Sequence, residues 1–551
     1  MTNAKELLQK AQTLSAERAN FETEWQDVAD IFRPVKSNIT VDRSKGDKEN
    51  ITRLYESAPI NFVHQLKSII IGVFFNRSIK PITITPVTEE VNEDQEVKDW
   101  ITEFTDMILR VMFNPKSGFE RALSEAVADD IVFGTIATFI EEGKKFPVKY
   151  HTLNIKNFLI AENDEGEADY VIIKHKMTAR QIISKWENKD ANIHEKILQA
   201  YEKNPFQEFD LQLHIFPRKE RDKKKIDSLN KEIAGFWVDE KHQTIIQEIG
   251  WDSMPVAIGR SEKSTNEVYG TSRAMIGLAD ARQINEMSRQ YNEATEKALK
   301  PPLNVNANYA KRVNLRPGAL NRPDQKALPA GRAAIEQILT IGNIPLTQDL
   351  ITRKEQNIRE IFFLDKLKIF DDARATATQI LELRAETFRI MGDFIYGIID
   401  YTEQILNRTF DILFNKIYIK NADGNFELIE NDLFQKEIPD LLSKNPELKI
   451  NYQNPITQSQ RLNESASIEK LMAGVLNLAQ AQPEIIDNID FDKLLRKSAD
   501  ILGIDPDIIK NPVIVKKERE QRQSQIQQQQ AMEQEQMAVE TASKAKQSKL
   551  I

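Results

Sequence analysis

The chain has 551 residues, 40% hydrophobic and 29% charged, with a formal net charge of −9; that length exceeds one compact core and implies roughly two to four subdomains. It holds no cysteine, which excludes a disulfide, a thiol nucleophile or a cysteine metal site and suits a reducing interior such as a bacterial cytoplasm. The acidic balance excludes a protein that coats nucleic acid over its whole surface, so any contact with DNA is confined to a few points.

Residues 1–12 are polar and helix-forming, with no apolar signal core, so export by that route is not expected. Residues 4–33 read as one or two helices, because Phe21, Trp25, Val28, Ala29 and Phe32 recur at helical spacing and Pro34 ends the pattern. A polar loop is expected over 36–50. A second helix spans 57–76, with Ser57 as its N-cap and Pro59 in its first turn. Its apolar run Ile69–Phe75, interrupted by Gly72, is the longest in the chain. A membrane span needs roughly 20 apolar residues, so none is expected. Ile82 and Ile84 alternate in a strand over 80–86, two amphipathic helices cover 92–112 and 118–134, and a β-branched strand covers 135–140.

From residue 147 to 251 the period becomes two. Strands are expected at 148–155, 170–177, 211–216, 233–238 and 244–249, with Asn163, Asp164, Glu165 and Gly166 supplying a turn and one helix, 179–203, interrupting the set. The pattern is α+β, mostly helical, with a mostly antiparallel sheet. Residues 271–299 are helical throughout, about 40 Å long if continuous. Their apolar stripe is thin, and Arg273, Arg282, Arg289 and Lys297 share it with Asp280, Glu286, Glu293 and Glu296. Such a helix makes sense beside identical copies in an oligomer.

Pro301 and Pro302 stop that helix, and 303–345 is punctuated by proline and glycine. A helix follows at 348–364, then a break at 369–375. A long helical tract runs over 376–414, with Phe388, Met391, Ile395, Ile398, Ile399 and Ile405 on its apolar face. Residues 460–510 are helical again. Residues 516–551 are rich in Gln, Glu and Lys, a low-complexity tail.

Catalytic and metal signatures are missing. There is no P-loop (Gly259–Ser264 lacks the second glycine), no G-x-S-x-G and no H-E-x-x-H. His64, His151, His175, His194, His214 and His242 are scattered without ligand spacing. Adjacent helical side chains diverge by about 100°, so Asp129 and Asp130 do not converge on one ion. Asp371 and Asp372 read as the acidic opening of the following helix. No catalytic residue, metal or cofactor is expected.

Four stretches carry a resemblance: ERANFETEWQDVADIFRP (17–34), SAPINFVHQLKSIIIGVFFNRSIKPITITP (57–86), VYGTSRAMIGLADARQINEMSRQ (268–290), and ARATATQILELRAE (373–386) preceded by REIFFLDKLKIFDD. Together they resemble the portal, or head-to-tail connector, proteins of short-tailed, podovirus-type bacteriophages, over about residues 16–530. The resemblance implies a wing over 1–270, stem helices at 271–299 and 346–365 and a clip at 300–345 between them. It further implies a tunnel loop at 366–375, a long wing helix at 376–417, a crown at 418–513 and the tail at 514–551. The basic insert 218–225 and the Gln-rich tail have no counterpart in the resemblance.

The implied assembly is a homo-oligomeric ring, a dodecamer in the family, at one vertex of the virion capsid, assembled in the host cytoplasm. Its implied partners are double-stranded DNA in transit, the large terminase subunit, tail adaptor proteins, and the major capsid and scaffold proteins. Lys366, Lys368 and Arg374 are candidates to face DNA, and Phe370 to narrow the channel; ordinary loop charges and a core phenylalanine are the alternative. Lys311, Arg312, Arg316, Arg322 and Lys326 are candidate contacts to motor or tail, or salt bridges between neighbouring subunits. Arg282 and Arg289 lie seven apart on one face and are candidates for inter-subunit ion pairs, with DNA contact as the alternative. Two rival readings stay open: another structural virion protein, such as a tail adaptor or scaffold, and a metal-dependent nuclease.

Overall fold

The computed structural model describes residues 3–41, 51–75, 82–86, 94–143, 145–186, 191–221, 227–305, 335–337, 344–368, 389–420, 426–429, 432–444, 448–452 and 491–502, with shorter pieces between and after them. The chain divides into two compact units. One comprises Met1–Val87 with Trp100–Asn454, the other Thr88–Asp99 with Pro455–Ile551.

The first helix is single, α1 (Ala4–Phe32), opened by the Asn3 side chain accepting the Lys5 N–H and ended where Pro34 follows Arg33. Its two halves bury different faces. Ala4, Leu7 and Leu8 pack on Ala234, Phe236 and Val238 of the sheet described below, whereas Trp25 meets the Tyr269 ring edge-on at 5.1 Å. Between the halves lies Arg18, only 4% exposed. Its Nη1 donates to the carbonyls of Ile155, Lys156 and Phe158, and its Nε and Nη2 to Glu22. Arg18→Met orphans three carbonyls and a carboxylate, and will lower stability by about 3 kcal/mol in urea unfolding.

Helix α2 (Ala58–Phe74) buries Phe62, Val63, Leu66, Ile70 and Phe74 at helical spacing. Ser57 stands at its N-cap position but makes no side-chain cap; the Glu56 carboxylate instead accepts the N–H of Ser57 and of Ala58. Strand β1 (Ile82–Pro86) follows, then α3 (Gln95–Met112) and α4 (Phe119–Phe133). Strands β2 (Thr135–Glu142), β3 (Val148–Leu153), β4 (Phe158–Glu162) and β5 (Ala168–Thr178) come next. At the β4–β5 turn Asn163 Oδ1 accepts the N–H of Glu165 and Glu167, as its turn composition predicts.

The helix expected over 179–203 is two, α5 (Ala179–Trp186) and α6 (Glu195–Lys203). A tertiary bond explains the interruption. The Asn192 N–H goes to the Ile246 carbonyl of the sheet, and His194 Nδ1 starts α6 by accepting from Lys196. Strands β6 (Glu208–Pro217), β7 (Ile233–Asp239), β8 (Thr244–Trp251) and β9 (Val256–Arg260) complete two antiparallel sheets, ordered β4-β5-β6-β7-β8 and β3-β2-β9. Strands β4 and β9 escaped the period-two reading. Phe158, Leu159 and Ile160, like Val256, Ala257 and Ile258, are buried without alternation.

The helix expected over 271–299 breaks at Gly277 into α7 (Arg273–Ile276) and α8 (Leu278–Leu299). Beyond it come β10 (Leu303–Val305), β11 (Ile335–Gln337), α9 (Ile344–Ile361), α10 (Leu364–Lys368) and α11 (Gly392–Ile417). Then follow β12 (Tyr418–Lys420), β13 (Phe426–Leu428), α12 (Asp440–Lys444), β14 (Leu448–Tyr452) and α13 (Phe491–Leu502). Three of these strands, β12 to β14, fall in 418–452, ahead of the tract read as helical over 460–510, and β14 pairs with the distant β1, Ile82 opposite Tyr452. The segments 42–50, 369–388 and 527–551 lie outside the described residues, as do Asp371 and Asp372.

Helix α11 closes the three-stranded sheet. Strand β9 is its edge, and the Gln404 amide brackets Ile258, accepting from its N–H at 2.8 Å and donating to its carbonyl at 3.0 Å. A side chain thus supplies what a missing neighbour strand would. The Tyr401 hydroxyl meets Thr138 at 2.6 Å, and Tyr150 meets Thr409 at 2.8 Å. Trp100, Phe104, Phe410, Phe414 and Phe434 form an aromatic cluster against α11, with Trp100 Nε1 donating to the Tyr418 hydroxyl.

Candidate functional site

The two mid-chain helices, α8 and α9, pack on each other and share a base in the core. That base is aromatic. Phe362, fully buried, stacks on Phe32 at 5.6 Å and tilts against Phe62 at 6.4 Å. The Arg273 guanidinium lies 4.3 Å over the Phe363 ring and pairs with Glu262. Gly277, at the head of α8, sits against the rings of Phe362 and Phe32. Away from the base the burial stops. Ala281, Ile284 and Ser288 are the buried residues of α8, none beyond its first half, and Leu299 at its far end is 79% exposed. At about 1.5 Å per residue α8 extends some 33 Å, and β10 pairs with β11, Leu303 opposite Gln337, just past the helix ends.

Polar contacts fasten the buried half of α8. Lys354 of α9 pairs with Asp280 at 2.7 Å. Asn285 accepts the Tyr55 N–H and donates to the Arg53 carbonyl, and Ser288 donates to Glu56, the residue that also caps α2. Sequence reading missed this strap of residues 53–56; a contact about 230 positions away leaves no periodic trace. The hydrogen bond from Arg289 draws the Glu286 carboxyl below its ordinary value, whereas burial, then Glu56, raises that of Glu355.

The candidate residues fall as follows. Arg282 is half exposed and pairs with Asp27 of α1 at 2.5 Å. Arg289 pairs with Glu286 and Glu293 on its own helix. Both arginines therefore hold acids of their own chain. Lys366 is exposed on α10 and Lys368 is the last residue of that helix; both follow the Phe362–Leu364 anchor directly. Arg316 is exposed, its N–H bonded to Asn314. Phe370, Arg374, Lys311, Arg312, Arg322 and Lys326 lie outside the described residues.

The adjacent carboxylates Asp129 and Asp130 diverge as the helical geometry requires. Asp129 pairs with Arg33 at 2.9 Å and Lys36 at 2.6 Å, while Asp130 accepts from the Ser261 hydroxyl at 2.8 Å. His194 stacks on His242 at 4.0 Å, and His242 bonds to Asp239. This pairing was invisible in the spacing, and parallel rings aim their in-plane lone pairs at no common point. Among the described residues no three His, Asp or Glu side chains gather as a metal site. No described helix is long and apolar enough to cross a membrane.

The family model described as "Bacteriophage head to tail connecting protein" matches residues 4–509. The chain belongs to that family. As a connector chain it is 22% identical over 552 residues to the "Probable portal protein" of Bordetella phage BPP-1, covering 98% of this chain and 95% of that one. It is 23% identical over 536 residues to the "Portal protein" of Salmonella phage epsilon15, covering 95% and 92%. Among solved structures, a chain from "Virion of native gene transfer agent (GTA) particle" matches with a TM-score of 0.33 at 10% identity, over 68% of this connector and 83% of that chain. The family match spans both mid-chain helices and their base.

Proposed function

We propose that the connector is a portal subunit. Copies form a ring, a dodecamer by family likeness, at one capsid vertex, and double-stranded DNA passes through its axis during packaging and ejection. The observation that carries this reading is the α8–α9 pair, rooted in an aromatic base yet leaving the outer half of α8 uncovered in a single chain. A cyclic neighbour buries such flanks without leaving a free end. In this reading α8 and α9 are the stem, residues 300–345 the clip facing the large terminase subunit and then tail adaptors, 366–375 the tunnel loop, and 418–513 the crown. Residues 1–270 and α11 form the wing against major capsid and scaffold proteins. The subunit guides DNA and catalyses nothing; the motor is separate.

DNA must slide, so phosphate contacts are few. Each neutralised phosphate adds salt-dependent affinity that resists movement. Lys366, Lys368 and Arg374 supply the DNA-facing charge, and Phe370 the constriction. Lys311, Arg312, Arg316, Arg322 and Lys326 serve the clip contacts. Arg282 and Arg289 keep donors beyond their intrachain acids for a neighbour, since a guanidinium has five. The test is a phage carrying Lys368→Glu. Rings and heads will assemble normally, while packaged or retained DNA falls several-fold by nuclease-protection assay; normal DNA content removes the tunnel-loop assignment.

A further inference from the structure

The joint between α9 and α10 holds a backbone conformation that its sequence does not favour. Residues 346–368 contain neither glycine nor proline, yet α9 ends at Ile361 and α10 starts at Leu364. The last turn of α9 tightens first. The Phe362 N–H reaches the Ile358 carbonyl, whereas the Phe363 N–H goes to Glu360, one residue short of the helical register. Phe363 then adopts a φ of +56°. That left-handed position at a helix end ordinarily falls to glycine or asparagine. A bulky aromatic residue there is strained and persists only where its surroundings over-determine it.

One side chain supplies much of that constraint. Among the described residues four non-glycine residues have a positive φ, and Arg273 meets two of them. Its guanidinium lies 4.3 Å over the Phe363 ring and pairs with Glu262, whose φ is +44°. Arg273 thereby ties the turn after β9 to the break after α9. A second contact spans the break itself, where Arg359 Nε donates to Asp365 at 3.0 Å. In an unbroken helix residues six apart lie about 9 Å along the axis and about 120° around it, so that bond belongs to the bent form alone.

We propose that the α9–α10 joint has two states, the bent one and one in which α9 runs on unbroken through Lys368, and that Arg273 is the positioning residue that selects the bent state. Burial of Leu364 and the Arg359–Asp365 bond favour the bent state too. The left-handed backbone at Phe363 and a run free of helix breakers oppose them, and a joint balanced in this way responds to a change at one contact. Lys366 stands three residues past Phe363. On the portal reading, on which this consequence alone rests, the joint sets the direction in which the chain leaves the stem towards DNA.

Nitroxide labels on Asp349→Cys and Lys366→Cys read the joint, since the chain has no cysteine of its own and both positions are exposed. Double electron–electron resonance on the full chain, diluted with unlabelled chain, reports distances within one subunit whether or not rings form. An unbroken helix separates the two backbones by about 26 Å. With Arg273 intact the separation is shorter and single. Arg273→Met moves half or more of the population out to the unbroken value. Adding Phe363→Gly, which admits the left-handed backbone without strain and disfavours helix, restores the short separation. Where Arg273→Met does not fold, Asp365→Ala is read in its place with the same expectation. An unchanged short separation in the variant read, or a lengthening that the glycine does not reverse, overturns the proposal and leaves the question of ring assembly untouched.

Discussion

Gly270→Ala will destabilise the first unit by about 4 kcal/mol or more, a loss large enough to leave little folded protein. A Cβ at Gly270 falls 2.3 Å from the carbonyl oxygens of both Gly134 and Ser261. Neither neighbour is a side chain that can rotate away. Overpacking against flexible groups costs about 1–3 kcal/mol, and two fixed carbonyls put this position above that range. Gly134 answers from the other side. Its φ is +69°, and a Cβ there falls 2.6 Å from the Gly270 oxygen, so Gly134→Ala adds backbone strain to the same clash. Gly72 in α2 has nothing within 4 Å, so Gly72→Ala will gain about 0.5–1 kcal/mol from helix propensity. Urea unfolding of the three variants checks the order. Near-native stability of Gly270→Ala would mean that the Gly134, Ser261 and Gly270 backbones do not approach as described.

The second large effect is a pH dependence centred on Asp130. Its carboxyl is fully enclosed, Oδ2 accepting from Ser261 and Oδ1 without a partner. Burial pushes its pKa from 3.8 up to about 7, against the pull of the Ser261 hydrogen bond. The folded chain thus holds this proton more tightly than the unfolded chain. The resulting stability is fully present below about pH 4 and is lost as pH rises through about 7. At about 1.4 kcal/mol per unit, the whole loss is about 4 kcal/mol.

Asp130→Asn removes the titration. Its stability relative to the unaltered chain will improve steadily between pH 4 and 8 and stay level above that. Other groups titrate in both chains and cancel in the difference. They include His175 and His214, which burial lowers to about 4 and about 3 and which favour the fold as pH rises. A difference that does not change with pH would show that Asp130 is not the group responsible.

Helix α1 was readable because its Phe21–Phe32 face is apolar at one period, and β5 to β8 were readable from β-branched and aromatic runs bounded by turn residues, β7 included although all its residues are buried. Strands β4 and β9, buried on both faces, gave no alternation to find. The pairing of β1 with β14 joins residues some 370 positions apart, and no local propensity encodes that. The Tyr269-Gly270 pair stood out only through the resemblance. Its physical reason, a three-way approach of Gly134, Ser261 and Gly270 backbones beside the head of α7, needs coordinates. For the candidate site, the thin stripe of α8 was visible in its interspersed charges, while the acids that Arg282 and Arg289 hold were not. Asp27 is distant in sequence, and the intrahelical pairs of Arg289 compete with any neighbour's.

Gly270, Asp130 and Ser261 converge on the first turns of α11, where Ser261 also reaches the Phe394 carbonyl.

Negative-stain imaging of the purified chain tests this account most directly. Closed rings with a hole along the symmetry axis are the expected particles, built by α8 and α9 flanks meeting their neighbours. Compact single-chain particles under every assembly condition tried, with those two helices covered by the chain's own residues, would contradict it.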